Sequence, residues 1–330
     1  MKKVLSIVLA LALCVGACFV FASCDKGDPE APKTDAVKYK IGICQLMEHD
    51  ALDAATEGFK QAIIDELGED AVEFDVQNGQ GDAATCSTIA NQFVSNNVDL
   101  IMANATPALQ SAAAATADIP ILATSITEYG VALEIEGFDG TVGGNISGTS
   151  DLAPLDKQAE MITEWCPDAK TVGLLYCSKE ANSQYQVDVV KAELEKKGLK
   201  AELYPFADSN DLAQVCTTAS DNCDVIYVPT DNTVAENTGI IDNICEPKKV
   251  PVIAGEEGIC SGCGIATLSI SYYDLGYTTG KMAVKILRDG EDISTMPIEY
   301  AEKQTPKYNE QNCEALGITP LEGYVAIEAK

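Results

Sequence analysis

The sequence predicts an α/β protein of two similar lobes, each a three-layer parallel sheet, joined by a hinge. Three observations lead there. Short apolar runs of strand length alternate with amphipathic helical stretches, which requires parallel sheets with right-handed crossovers. Two runs recur: 98–103 (VDLIMA) matches 223–228 (CDVIYV), and 120–123 (PILA) matches 251–254 (PVIA). Offsets of 125–131 residues are far too long for a solenoid repeat and fit two copies of one lobe. A chain of 330 residues with 46% apolar content can also bury more than one core.

The start of the chain is a separate matter. Lys2 and Lys3 precede an apolar run from 4 to 22 that ends in Phe21-Ala22-Ser23-Cys24. A charged start, an apolar middle and small residues at the end describe an export signal over 1–23. The small-small-Cys ending resembles a bacterial lipobox, with Cys24 lipidated as the mature first residue. One membrane-spanning helix is the plain alternative. Residues 24–37 are polar and proline-bearing, as a tether should be.

The folded part opens with an apolar strand at 40–46. Asp50 is placed to cap the following helix, where Leu52, Ala55, Phe59, Ala62 and Ile63 make one apolar stripe. Gln45, Glu48 and His49 lie between them, at a strand end where ligands bind in parallel sheets. The plan repeats with a strand at 72–77, a helix capped by Asp82, and a strand at 99–103 that is apolar throughout. Thr106-Pro107 opens a third helix, with threonine as cap and proline at the first helical position. Strands at 120–123 and 141–146 complete the first series.

Residues 148–154 (GTSDLAP) read as a crossing point. A second series follows: helix 155–165, strand 172–177, helix 182–197, strand 201–204, helix 211–220, strand 224–228, helix 233–245, strand 252–254 and strand 264–270. Helix 272–290 is placed to return to the first lobe, with further crossings near Ser271 and Ser294. The lobes are therefore 38–148 plus 272–292, and 149–271 plus 293–330. Several connecting strands suit a hinge rather than a loose linker. Helix 309–316 lies in a covering tail.

Charge excludes some partners. The chain has 22 basic and 51 acidic residues; loss of Lys2 and Lys3 leaves 20 against 51, a net charge of −31. Such a surface is repelled by nucleic acid and anionic lipid. Arg288 is the one arginine, and no lysine or arginine lies between Lys60 and Lys157. Ten cysteines follow Cys24. Cys44 and Cys86 read as buried thiols, and a Cys216–Cys223 bridge is possible. Cys260-Ser261-Gly262-Cys263 suits a turn disulfide or free thiols. One histidine and no second cysteine pair argue against metal.

Five motifs in one order carry a closer resemblance: Gln45-x-x-Glu48-His49-x-Ala51-Leu52-Asp53, Ala105-Thr106-Pro107-Ala108, Ser150-Asp151-x-x-Pro154, Glu180-x-Asn182-Ser183-x-x-Gln186 and Pro229-x-Asp231-Asn232. They resemble the substrate-binding lipoprotein family of ABC importers that includes tryptophan- and tyrosine-binding members. Tyr273-x-Leu275-Gly276 and Gly280 resemble its late helix, and the likeness runs from about 39 to 318. Asp50 departs from it, standing where proline is expected. The resemblance implies a periplasmic-binding-protein type 1 fold, no catalysis, no cofactor, and an amino acid ligand, most naturally tryptophan, tyrosine or phenylalanine. It further implies a lipid-anchored monomer on the outer face of the bacterial cytoplasmic membrane, handing its ligand to an ABC permease.

With so little positive charge in the first lobe, the ligand carboxylate is expected at helix amino termini, at Thr106 and at Asn182-Ser183. Thr124 and Ser125 would add hydroxyls. Asp231, Glu180 and Asp151 are the candidates for the ammonium, each with a bland alternative as a cap or turn residue. Gln45, Glu48, Gln186 and Asn232 are further polar candidates, and Tyr129 and Tyr185 are more naturally packing residues. A sugar- or nucleoside-binding lipoprotein is the rival of the same fold. An enzyme is the rival of another class, with Cys44 or Cys177 as the thiol that His49 would have to serve.

Overall fold

A computed structural model of the chain describes residues 38–301 and 303–328. The export signal, Cys24 and the tether lie outside the described residues.

The first series reads β1 (Tyr39–Gln45), α1 (Asp50–Leu67), β2 (Val72–Asn78), α2 (Ala83–Ser95), β3 (Leu100–Asn104), α3 (Thr106–Ala115), β4 (Ile121–Ile126), α4 (Tyr129–Ala132) and β5 (Ile146–Ser150). The second reads α5 (Leu155–Trp165), β6 (Thr171–Cys177), α6 (Ala181–Lys196), β7 (Lys200–Phe206), α7 (Ser209–Asn222), β8 (Val225–Val228), α8 (Asn232–Glu236), α9 (Thr238–Lys248), β9 (Val252–Ala254), α10 (Glu257–Cys263) and β10 (Ala266–Ser269). After these come α11 (Tyr272–Leu287), β11 (Glu299–Tyr300), β12 (Thr305–Tyr308), α12 (Glu310–Leu316) and β13 (Val325–Ala326).

Two sheets result. One has the order β11-β5-β4-β3-β1-β2 and is parallel throughout; the other has the order β13-β12-β10-β9-β8-β6-β7, with β12 antiparallel to β10. Each core packs between its sheet and the helices on its faces. Phe93, Leu109 and Tyr129 lie on one side of the first sheet, and Phe59, Ile63 and Met282 on the other. The recurring Asp before a strand has the same task in both lobes. Asp99 accepts from Lys40 N–H at 2.7 Å, and Asp224 accepts from Lys170 and Thr171 N–H at 2.8 and 2.9 Å. Each ties the entrance of its strand to the neighbouring one.

Several expectations are corrected. The fifth strand lies at Ile146–Ser150 rather than 141–146, because Gly143 and Gly144 turn the chain with positive φ and leave the strand no earlier start. The helix expected at 233–245 is two, broken at Asn237. Cys260 and Cys263 are free thiols, as one of the two readings had it, but lie buried on helix α10 rather than on a turn. Cys216 meets Cys245, Sγ to Sγ at 3.7 Å, instead of Cys223, whose thiol points to the Tyr204 hydroxyl. Residues 293–300 do not join the second lobe: Glu299 and Tyr300 pair with Thr149 and Ser150, so the last crossing falls beyond Tyr300.

Helix α11 does return to the first lobe, where it lies along α1. No helix among the described residues is long and apolar enough to cross a membrane.

Candidate ligand-binding site

The carboxyl ends of both sheets face one small cavity. The first lobe contributes His49, Ala51 and Leu52 from the start of α1, and Ser125 and Thr127 from the end of β4. The second contributes Asn182, Thr230, Asp231, Asn232 and Ala235. Asp151, Glu256 and Tyr272 close the hinge side.

Local structure aims these groups. Ser125 has φ 58°, a left-handed conformation rare outside glycine, in a stretch where the β4–β5 register slips between Ala123 and Ile126. The irregularity turns the serine out of the ladder. His49 precedes α1 without capping it by its side chain, and Ala51 and Leu52, of the first turn whose N–H groups a helix cannot satisfy internally, line the cavity. Asp151 follows β5; its N–H donates to Ile126 O at 3.0 Å, and its Oδ2 accepts from the Tyr272 hydroxyl at 2.9 Å.

Six buried side-chain polar atoms among the described residues have no hydrogen-bond partner, and three of them line this cavity: Ser125 Oγ, Asp151 Oδ1 and Asn182 Oδ1. Buried polar groups in folded proteins are nearly always paired, so three open ones around one space make it the candidate site. All three atoms can accept a hydrogen bond.

The remaining acids of the site are engaged. Asp231 accepts from Val234 N–H at 2.9 Å as the cap of α8, and from Cys177 N–H at 2.6 Å. Burial, with Glu180 beside it, pushes its carboxyl up to about 8. Glu180 crosses from α6 to α8. Its Oε1 accepts from Thr233 N–H and Oγ1 at 2.9 and 2.8 Å, and its Oε2 from Asn232 N–H and Nδ2 at 3.0 and 2.7 Å. Glu256 caps α10 by accepting from Gly258 and Ile259 N–H, and burial pushes it up to about 7. Burial likewise raises the carboxyl of Asp151.

Of the twelve residues expected in a site, Ser125, Asp151, Asn182, Asp231 and Asn232 line the cavity. Gln45 is buried behind α1, donating to Met47 O and Asp53 and accepting from Thr56. Glu48 is exposed. Thr106 is not the cap of α3: Ala105 holds that place with φ 86°, and Thr106 and Pro107 begin the helix proper, off the cavity lining. Thr124 belongs to a hydroxyl chain through Thr149 to Thr279 that fixes α11 to the sheet. Ser183 is buried behind Asn182, and Gln186 holds the Thr230 loop through both its amide groups. Sequence reasoning missed Tyr272, Glu256, Thr127 and Thr230, of which only Tyr272, next to the noted Tyr273, gave a visible signal.

A larger, open groove runs along the hinge between α1, α10 and α11. Its size does not make it the site. Among the described residues no unpartnered buried polar atom lines it, and Lys307 and Glu257 there neutralise each other at 2.6 Å. Among the described residues, no group of three or more His, Cys, Asp or Glu side chains is placed to hold a metal ion. His49 faces Asn232, and the Cys177 thiol donates to Ala207 O instead.

Known proteins share this fold. Residues 40–329 match the family described as ABC transporter substrate binding protein. The chain belongs to that family. This substrate-binding protein is 36% identical, over 97% of its length and 94% of the other's, to a tyrosine-binding protein of Clostridioides difficile (strain R20291). It is 33% identical to the ABC domain solved in complex with L-Trp from Streptococcus pneumonia, with a TM-score of 0.83 over 87% of this chain and 99% of that one. It is 40% identical to a substrate binding protein with adhesive properties from Clostridium difficile, solved in a ligand-free, open structure, with a TM-score of 0.68 over 88% and 100%. The fold is that of the type 1 periplasmic binding proteins. The L-Trp complex is less similar in sequence than the open structure yet superposes better. The lobes of this substrate-binding protein are therefore disposed more as in the complex.

Proposed function

We propose that this substrate-binding protein carries an aromatic amino acid, one of tyrosine, tryptophan or phenylalanine, in the cavity between its lobes. The observation that carries the reading is the set of unpaired acceptors, Ser125 Oγ, Asp151 Oδ1 and Asn182 Oδ1. An ammonium group offers three N–H donors and a charge, and an ionised Asp151 complements both. The carboxylate belongs at the amino terminus of α1, beside the Ala51 and Leu52 N–H groups, where the helix dipole replaces the missing arginine. The buried Tyr272 ring, with Leu52, Ala51 and Ala235, supplies the apolar wall. The tyrosine-binding relative and the L-Trp complex support the choice of ligand. Asp231 and Glu180, expected to meet the ammonium directly, instead shape the wall that presents Asn182 and Asn232.

In this reading Cys24 carries the lipid that holds the protein on the outer face of the bacterial membrane, as a monomer, and closure over the ligand is what the permease recognises. Thermal shift of the untagged protein tests the ligand. Micromolar L-tyrosine, L-tryptophan or L-phenylalanine is expected to raise the melting temperature, while glucose, inositol and adenosine leave it unchanged. A shift with the sugars or adenosine alone sinks the reading.

A further inference from the structure

We propose that His49 and Asn232 form a latch that exists only when the lobes are closed, and that Glu180 sets it. The proposal rests on the reading of the cavity as the solute site. His49 lies between β1 and α1 in the first lobe, and Asn232 opens α8 in the second; His49 Nε2 and Asn232 Oδ1 are 3.2 Å apart.

The direction of this bond follows from its neighbours. Asn232 Nδ2 donates to Glu180 Oε2 at 2.7 Å, and a carboxylate of this kind only accepts. The amide is therefore fixed with its oxygen toward His49. An amide oxygen also only accepts, so the imidazole must donate through Nε2–H. Glu180 is itself held by Asn232 N–H, Thr233 N–H, the Thr233 hydroxyl and Asn182 Nδ2, all within the second lobe. The acceptor half of the latch is thus in place before the lobes meet, and closure orders only the histidine. His49 makes no side-chain cap to α1, and among the described residues its bond to Asn232 is the one hydrogen bond of its ring.

The chain has a single histidine, which makes the ring its own probe. In untagged, ¹⁵N-labelled protein saturated with L-tyrosine or L-tryptophan, one slowly exchanging imidazole Nε2–H signal is expected; an Nδ1–H tautomer there would overturn the latch. The variant His49→Phe keeps the ring's bulk and loses the donor, and should bind the amino acid roughly tenfold more weakly, the worth of about one buried hydrogen bond. His49→Gln restores a donor and should recover most of that loss.

Asn232→Ala also takes a donor from Glu180, so the deciding comparison is the double variant. His49→Phe with Asn232→Ala should bind no more weakly than Asn232→Ala alone, whereas independent losses that multiply mean that no latch exists. By small-angle scattering without ligand, His49→Phe should be more extended than the wild type, and equal radii of gyration count against the latch. That last measurement separates the two ideas. If neither amino acid binds the wild type but the variant still opens, the ligand reading fails and the latch stands.

Discussion

An acid that accepts through one oxygen and leaves the other open, as Asp151 does, is bound to the fold and available to a ligand at once. Burial raises its carboxyl above the ordinary range, since a charge there has lost its water. On the proposed reading, an arriving ammonium restores the ionised form, so binding to the protonated carboxyl should release a proton. Calorimetry in two buffers of different ionisation enthalpy should then give different apparent enthalpies. Asp151→Asn should erase the difference and weaken binding by about 2–3 kcal/mol, as expected for a buried charge partner. Equal enthalpies in the wild type would move the ammonium elsewhere. Only part of this was legible in the chain. The sequence marks Asp151, Glu180 and Asp231 alike as acids on strand-end loops. What separates them is partners some fifty residues away: Cys177 N–H for Asp231, and the N–H groups of Asn232 and Thr233 for Glu180. No local pattern records those pairings.

Helix α11 follows the second series in sequence and yet packs in the first lobe, through backbone rather than side chains. A Cβ at Gly276 would stand 1.9 Å from Ala55 O, and one at Gly58 would stand 2.1 Å from Tyr273 O. Neither helix can yield, because the hydroxyl chain from Thr124 to Thr279 pins α11 to the sheet and Phe59 and Ile63 pin α1. Gly276→Ala should therefore cost about 3 kcal/mol or more in a urea titration. Gly239→Ala, in a helix with open space around the glycine, should instead be neutral or stabilise by up to about 1 kcal/mol. Similar midpoints for the two variants would show that the seam relaxes. Elements of this size were readable because a stripe such as Leu52–Ala55–Phe59–Ile63 has only one helical interpretation. The short ones were not. Helix α10 is the seven residues EGICSGC, with two glycines and a CxxC spacing that argues for a turn, and the glutamate that caps it is visible only through its bonds to Gly258 and Ile259. Strands β11 and β13 have two residues each and follow from pairing alone.

At the scale of the whole molecule, the repeat of 98–103 in 223–228 foretold two lobes, and the Asp99 and Asp224 bonds show why that pattern is kept in both. The crossing after Tyr300 was misplaced because its pairing with β5 leaves no hydrophobic trace. Charge is the other global property, with a net of −29 on the full chain. Most buried acids in proteins are held ionised by partners and lose stability in acid. Here Asp231 and Glu256 are pushed the other way, to about 8 and about 7, so the folded state holds protons that the unfolded chain gives up near pH 4. Where the folded state binds more protons, stability falls as pH rises. His49, whose imidazole burial pushes down, acts in the opposite sense, but only below its ordinary value near 6.5. Between pH 6.5 and 8 the two carboxyls act without that opposition, and unfolding at the lower pH should cost about 1–2 kcal/mol more. Urea titrations at the two pH values measure it, with Asp231→Asn, which keeps an acceptor for Val234 N–H, expected to flatten the difference. A wild type equally stable at both, or weaker at 6.5, would mean that these acids stay ionised in the closed protein, and that the wall of the cavity is more negative than its burial allows.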